Sequence, residues 1–200
     1  METTKIIQKI KKLYKNIHGY SLDSNDSYYS NSSKNNDLVP TYGEILPNAV
    51  TKLINNLEIS KNDMFVDLGC GTGKVVLQFH LQTPVHHALG IEFSTTRHKQ
   101  ATSIFEKIKI KKNKKIECLR GNFLNFDLSK GTIFYSASTC FSDNTMKKIW
   151  NKLMQNKKLN SIIVLKDFPK NVDYSRVKST KELNVGCSWA ISQAKIYYFK

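Results

Sequence analysis

The stretch DLGCGTGKVVLQ, residues 67–78, limits what this chain can fold into more than any other. Gly69, Gly71 and Gly73 alternate with other residues between one apolar run, MFVDL, and a second run with helical spacing. Alternating glycines permit a tight turn and let backbone N–H groups approach a ligand closely. The pattern predicts a buried strand ending at Asp67, a glycine turn, and a helix from about Lys74. A phosphate-gripping loop would end in Gly-Lys-Ser or Gly-Lys-Thr, whereas here Lys74 is followed by Val75. That kind of loop is therefore disfavoured.

Strand and helix patterns alternate downstream. HHALGIEF, KIECLRGNF, TIFYSAS and NSIIVLKDF read as further strands, and RHKQATSIFEKIKI and NTMKKIWNKLMQN read as helices. The alternation predicts an α/β fold, a parallel sheet with helices on both faces. LNVGCSWAISQAKIYYFK reads as two strands with a turn near Ser192, a C-terminal antiparallel hairpin that finishes the sheet. Upstream, Ile45, Val50, Leu53, Ile54 and Leu57 suit the buried face of a helix within 43–59. Ile6, Ile10, Leu13 and Ile17 mark an amphipathic helix in residues 1–20, with lysines on its other face. Residues 21–37 are rich in Ser, Asn and Asp and read as a flexible linker. The expected organisation is an N-terminal helix and linker over 1–40 and one domain over 41–200.

The formal charge of +15 favours anionic partners. Of the 31 basic residues only Arg97, Arg120 and Arg176 are arginine, so part of the excess also fits an A/T-rich coding sequence. The lysines of 107–115 read either as a solvated helix end or as a docking patch, and the N-terminal helix with the lysines of 5–15 reads as a helix packed on the domain, a nucleic-acid arm or a membrane-surface helix; nucleic acid or a nucleosome is the contact considered for both segments. Cysteines 70, 118, 140 and 187 lack C-x-x-C spacing and a complementary histidine pair, so neither a metal site nor a disulfide framework is expected. No apolar run approaches the ~18 residues of a transmembrane segment, and the N-terminus lacks the apolar core of a signal peptide. A cytoplasmic or nuclear protein is expected, and delivery to another cell is compatible with the sequence.

Glu92 closes the second strand 25 positions after Asp67, where a carboxylate can accept hydrogen bonds from ribose hydroxyls. With its leading aspartate, D-x-G-x-G-x-G resembles the first motif of class I S-adenosylmethionine-dependent methyltransferases. That resemblance implies S-adenosyl-L-methionine as cofactor, with Asp67 meeting its ammonium group. It also implies an adenine contact from Asn122 and a ring cover from Phe123, with a turn-forming role as the alternative for Asn122.

At TYGEI the likeness narrows. With FVDLGCGTGKVVLQ, Glu92, RGNF and the terminal SWAISQAKIYYF, the chain resembles the disruptor-of-telomeric-silencing type of histone lysine methyltransferase, a seven-strand, Rossmann-like enzyme. The resemblance covers about residues 38–200. It implies that Tyr42, Gly43 and Glu44 lie over the cofactor, beside Gly69, Gly71, Gly73 and Lys74. It further implies that Trp189 with Tyr197 or Tyr198 walls a lysine channel. The family's Asn-Asn-aromatic segment near the transferred methyl is replaced by YSASTCF, where Ser136 or Ser138 is the substitute. The implied function is protein-lysine N-methylation, with histone-like or nucleic-acid-associated proteins as acceptors. An RNA or DNA methyltransferase and a cofactor-retaining nucleic-acid-binding module are the competing readings. The first of these is lowered because SASTCFSD lacks the proline pair that base-amino methylators carry.

Overall fold

The computed structural model describes residues 2–31 and 39–199. Seven strands form one sheet in the order β3-β2-β1-β4-β5-β7-β6. The first five are β1 (Met64–Leu68), β2 (His87–Glu92), β3 (Lys115–Arg120), β4 (Ile133–Ser136) and β5 (Ser161–Val164), each parallel to its neighbours among them. β1, β4 and β5 are buried along their whole length, as apolar strands covered on both faces should be. β7 (Ile191–Phe199) runs antiparallel between β5 and β6 (Val177–Gly186).

The chain leaves β1 towards β2 and β3 on one side and reaches β4 and β5 on the other. The strand order therefore reverses between β1 and β4, and ligands of open α/β sheets bind outside the strand ends at such a point. Register sets Asp67 opposite Gly90 on one side and Tyr135 on the other, so the ends of β1, β2 and β4 lie together.

One face of the sheet is covered by α1 (Glu2–Leu13), α3 (Pro47–Ile54), α4 (Lys74–Gln82) and α5 (Thr95–Glu106). Leu53, Val76, Phe79 and Ile104 anchor it, and the Phe65 and Phe79 rings stack at 3.7 Å. The other face is covered by α6 (Asp143–Met154), whose Met146, Ile149, Trp150 and Leu153 repeat at helical spacing and pack on Val66, Phe134 and Ile162. Ser142 caps α6 by accepting from the Thr145 backbone N–H.

Three expectations change in detail. The helix read within 43–59 is confined to Pro47–Ile54, because Pro47 sits in its first turn, where a missing N–H costs nothing. The hairpin turns at Cys187–Ala190, where Cys187 N donates to Ala190 O (2.9 Å), and not near Ser192, which lies in β7 opposite Val185. The stretch read as a linker contains α2 (Ser27–Asn31) and the fully buried Asp26; its residues 32–37 lie outside the described residues. Asp26 is held because its carboxylate accepts from Ser94 Oγ (2.7 Å) and from Thr96 N (2.8 Å), an otherwise unpaired N–H at the start of α5. Ile10 and Tyr14 are buried as well, and the Tyr14 hydroxyl donates to the Thr72 carbonyl (3.0 Å). The residue that follows α1 thereby touches the glycine turn itself.

Candidate active site

A cavity of about 330 Å³ opens at the switch point. Its floor is the glycine turn. Gly69, Gly71 and Gly73 have φ of +85°, +56° and +81°, values that L side chains rarely adopt, which explains the alternation seen in the sequence. The turn is fixed from both sides. Gly69 N and Cys70 N donate to Ile91 O, and Gly71 N donates to Glu92 Oε2 (2.8 Å). Glu92 Oε1 accepts from Ser94 N (2.8 Å), so one buried carboxylate ties the end of β2 to the turn after β1.

Asp67 is buried beside it, and its Oδ1 has no hydrogen-bond partner. Burial first, and the Glu92 charge second, push the Asp67 carboxyl well above its ordinary range. Burial also pushes Glu92 up, opposed by the Ser94 and Gly71 N–H groups and by the charge of Arg97. Two acids crowded in this way favour a cationic ligand group, which would relieve both.

The roof comes from Tyr42, Gly43 and Glu44. The Tyr42 ring lies so close to Gly71 and Gly19 that a Cβ on either would come within 2.5 Å and 2.3 Å of it. Its hydroxyl donates to Glu44 Oε1 (2.6 Å). Lys74 Nζ bridges both Glu44 oxygens at 2.7 and 2.6 Å, so Glu44 is spent on its neighbours and is not free to act as a base. Trp189, 45% exposed, stands at the rim and packs on Gly43, where a Cβ would come within 2.3 Å of its ring. The hairpin tip is laced to the roof: Ser188 N donates to Glu44 O (2.7 Å), and Ser188 Oγ accepts from Glu44 N (3.0 Å).

The structure thus brings Tyr42, Gly43, Glu44, Asp67, Gly69, Gly71, Lys74, Glu92, Phe123 and Trp189 to one cavity. Gly73 lies behind it against Phe105. Five residues singled out in the sequence are placed elsewhere. Asn122 Oδ1 accepts from Leu124 N (2.9 Å) and caps the short turn Phe123–Asn125, the turn-forming role. Ser136 Oγ donates to Leu68 O (2.9 Å), and Ser138 Oγ accepts from Lys166 N (3.1 Å); both act in the frame. Tyr197 packs in the α6-side core with Trp150 and bonds Asp167, and the Tyr198 hydroxyl donates to Asn56 O (2.7 Å). β7 is an interior strand, so adjacent tyrosines point to opposite covered faces and neither reaches the cavity.

Sequence reasoning missed Tyr135, Phe141 and Arg97, which also line the cavity. Phe141 pairs with Phe123 at 5.6 Å between ring centres. Arg97 is buried, donates from Nε to Gly19 O (2.8 Å) and from Nη2 to Pro40 O (2.6 Å), and lies 4.7 Å from the Tyr42 ring centre. Its signal was available, since arginine is rare in this lysine-rich chain.

Sheet order, glycine turn and switch-point cavity define a Rossmann-like, seven-strand methyltransferase fold. An RNA methyltransferase from Salinibacter ruber, solved with S-adenosyl-L-homocysteine, superposes with a TM-score of 0.58 at 16% identity, over 80% of this chain and 94% of that one. At that identity the likeness speaks for the fold alone. The chain belongs to the DOT1 family: the family described as "Histone methylation protein DOT1" matches residues 26–199. A histone-lysine N-methyltransferase of Caenorhabditis elegans, described as H3 lysine-79 specific, is 28% identical over 174 residues, 81% of this chain and 18% of that protein. A protein-lysine N-methyltransferase of Saccharolobus islandicus is 29% identical over 84 residues, 42% of this chain and 51% of that protein. The chain therefore spans 18% and 51% of the lengths of these two curated relatives.

Proposed function

We propose that this domain transfers a methyl group from S-adenosyl-L-methionine to the side-chain nitrogen of a lysine in a protein. The observation that carries the reading is Asp67 Oδ1, buried, unpartnered and facing the cavity beside the buried Glu92. The residues fit the cofactor. Asp67 offers an acceptor to its ammonium, Glu92 keeps lone pairs for ribose hydroxyls, and Phe123 presents a ring to the purine. Bound there, the cofactor supplies an electrophilic methyl carbon on a sulfonium.

The chain's own work is to hold the acceptor and exclude water. A free lysine amine has a pKa near ~10.4 and must be neutral to attack. Walls formed by Trp189, Phe141, Ala137 and Ile45 disfavour the ammonium form and lower that value. Membership in the DOT1 family, and the protein-lysine methyltransferases among its relatives, support a protein acceptor over a nucleic acid. A cytoplasmic or nuclear site of action accompanies this reading. Among the described residues no helix is long and apolar enough to cross a membrane.

A polyanion, nucleic acid or nucleosome, is the proposed docking partner of the Lys-rich segments 5–15 and 107–115. Lys9 from the first segment and Lys114 from the second both bear electrostatically on His80 near the end of α4, so the two meet on one side of the domain. Lys114 itself is engaged, bonding the His80 and Thr83 carbonyls, which leaves its exposed neighbours for docking.

The test is radiolabelled methyl transfer to separate pools of histones, total cell protein, RNA and DNA, with cofactor affinity measured by calorimetry. Label in protein is expected, and label confined to nucleic acid would reject the reading. Asp67→Asn should weaken cofactor binding about 10- to 100-fold, the value of one hydrogen bond to a charged group. It should also raise the melting temperature, because a buried unpaired charge is removed.

A further inference from the structure

Two buried polar side-chain atoms on the cavity wall have no partner: Asp67 Oδ1 and the Tyr135 hydroxyl. The proposed cofactor reading uses the first and leaves the second without a task. Tyr135 is 2% exposed, and a buried hydroxyl left unpaired costs ~1–3 kcal/mol, which a ligand group able to pair with it would recover.

Its position says which ligand group that is. β4 lies on the opposite side of β1 from β2. A nucleoside held by Glu92 occupies the β1–β2 side, so the acceptor must come in over β4, where Trp189, Ala137 and Phe141 complete the wall. Of the other hydroxyls near the end of β4, Ser136 bonds Leu68 O, Ser138 bonds Lys166, and Tyr42 bonds Glu44 and Thr72; Thr139 also lines the cavity but is exposed, so water can satisfy it. Strand alternation explains the choice of residue: with Ser136 turned into the frame, its neighbours 135 and 137 face the cavity.

We propose that Tyr135 is a catalytic residue on the acceptor side, whose hydroxyl oxygen accepts a hydrogen bond from the neutral lysine amine and leaves the nitrogen lone pair free to point along the line of attack. This rests on the lysine-methyltransferase reading above. The hydroxyl orients and does not take up the proton. Burial, with the charge of Asp67 behind it, pushes its pKa far above the ordinary tyrosine range, so it stays protonated.

Tyr135→Phe removes only the unpartnered oxygen, so the variant should fold with an undiminished melting temperature. We expect kcat to fall about tenfold or more on a histone mixture, or on total cell protein where the wild type labels that better. Affinity for S-adenosyl-L-homocysteine by calorimetry should stay within about twofold. Wild-type kcat in the variant would overturn the proposal. So would a loss of homocysteine-product affinity comparable to the loss of turnover, which assigns the hydroxyl to the cofactor. A marked drop in melting temperature would reveal a structural partner and count against it equally. A wild type that binds the product but labels no protein overturns the lysine reading and this proposal together. Protein labelling with an indifferent Tyr135→Phe overturns this proposal alone.

Discussion

Arg97→Met should loosen the roof of the cavity more than it loosens the sheet. Arg97 reaches from α5 to two separate pieces of chain, bonding the carbonyls of Gly19 and Pro40. Each bond from a cation contributes ~1.5–3 kcal/mol. The guanidinium 4.7 Å from the Tyr42 ring centre adds up to ~2 kcal/mol when desolvated. Keeping a cation buried opposes these gains by several kcal/mol. Measured losses on removing one member of a buried charged network nevertheless run at ~3–5 kcal/mol, because the groups left behind stay buried and unpaired. For a domain of this size that is about a 10 °C fall in melting temperature. The loss should fall first on residues 14–31 and 39–44, which Arg97 tethers, and hydrogen exchange would detect faster amide exchange there than in β1 or β4. Arg97→Lys is the control. It keeps a positive charge near Glu92 but cannot span both carbonyls, so it should recover less than half of the protection. Unchanged exchange in residues 39–44 of the Met variant, with melting within about 2 °C of the wild type, would refute the assignment of Arg97 as the roof's anchor.

Gly71→Ala and Gly69→Ala separate backbone strain from steric conflict. Both positions have positive φ and should lose ~1–2 kcal/mol of stability, but only at Gly71 would the new Cβ strike the Tyr42 ring at 2.5 Å, against 3.7 Å to Phe141 at Gly69. Calorimetry with S-adenosyl-L-homocysteine should therefore show the larger affinity loss for Gly71→Ala, and equal losses would contradict the described packing. His80 supplies a pH test. Burial, aided by the charge of Lys114, pushes it down to about 4, below the usual ~6.5. Its folded pKa is depressed, so the unfolded chain binds the extra proton. Its contribution to stability is complete above pH ~6.5 and is lost as the pH falls towards 4. Urea melts of wild type and His80→Gln between pH 7 and 4 should show a shallower decline for the variant. Identical slopes would place the acid sensitivity elsewhere.

Much of the fold is legible because its signals are local. β1, β4 and β5 are short apolar runs, and α6 shows its buried face at helical spacing. The glycine turn is legible because three left-handed positions demand one residue type. Long-range packing is what escaped. Nothing near Tyr197 and Tyr198 shows that β7 is an interior strand covered on both faces, so aromatics expected in a channel lie in the core and the frame. The Cys187–Ala190 turn carries no Asn-Gly or Asp-Gly signal, and its position emerges only from pairing with β6. Asp26 sits in a polar stretch that composition alone reads as solvated. Its burial depends on the Thr96 N–H and the Ser94 hydroxyl at the start of α5, about seventy residues away. Tyr135 was hidden by the serines beside it, since the alternation of β4 decides which of them faces the cavity.

The lacing of the hairpin tip to Glu44 has a thermodynamic corollary. Ile45 pairs with Cys187; on one side of that bridge Ser188 N donates to Glu44 O, and on the other Leu46 N donates to Gly186 O. One rigid seam therefore carries the rim residue Trp189 on one flank and the Tyr42–Lys74 cluster on the other. Whatever settles against the indole also steadies the segment that closes over the glycines. By linkage, if occupancy of one compartment tightens the other through this seam, the reverse must hold by the same factor.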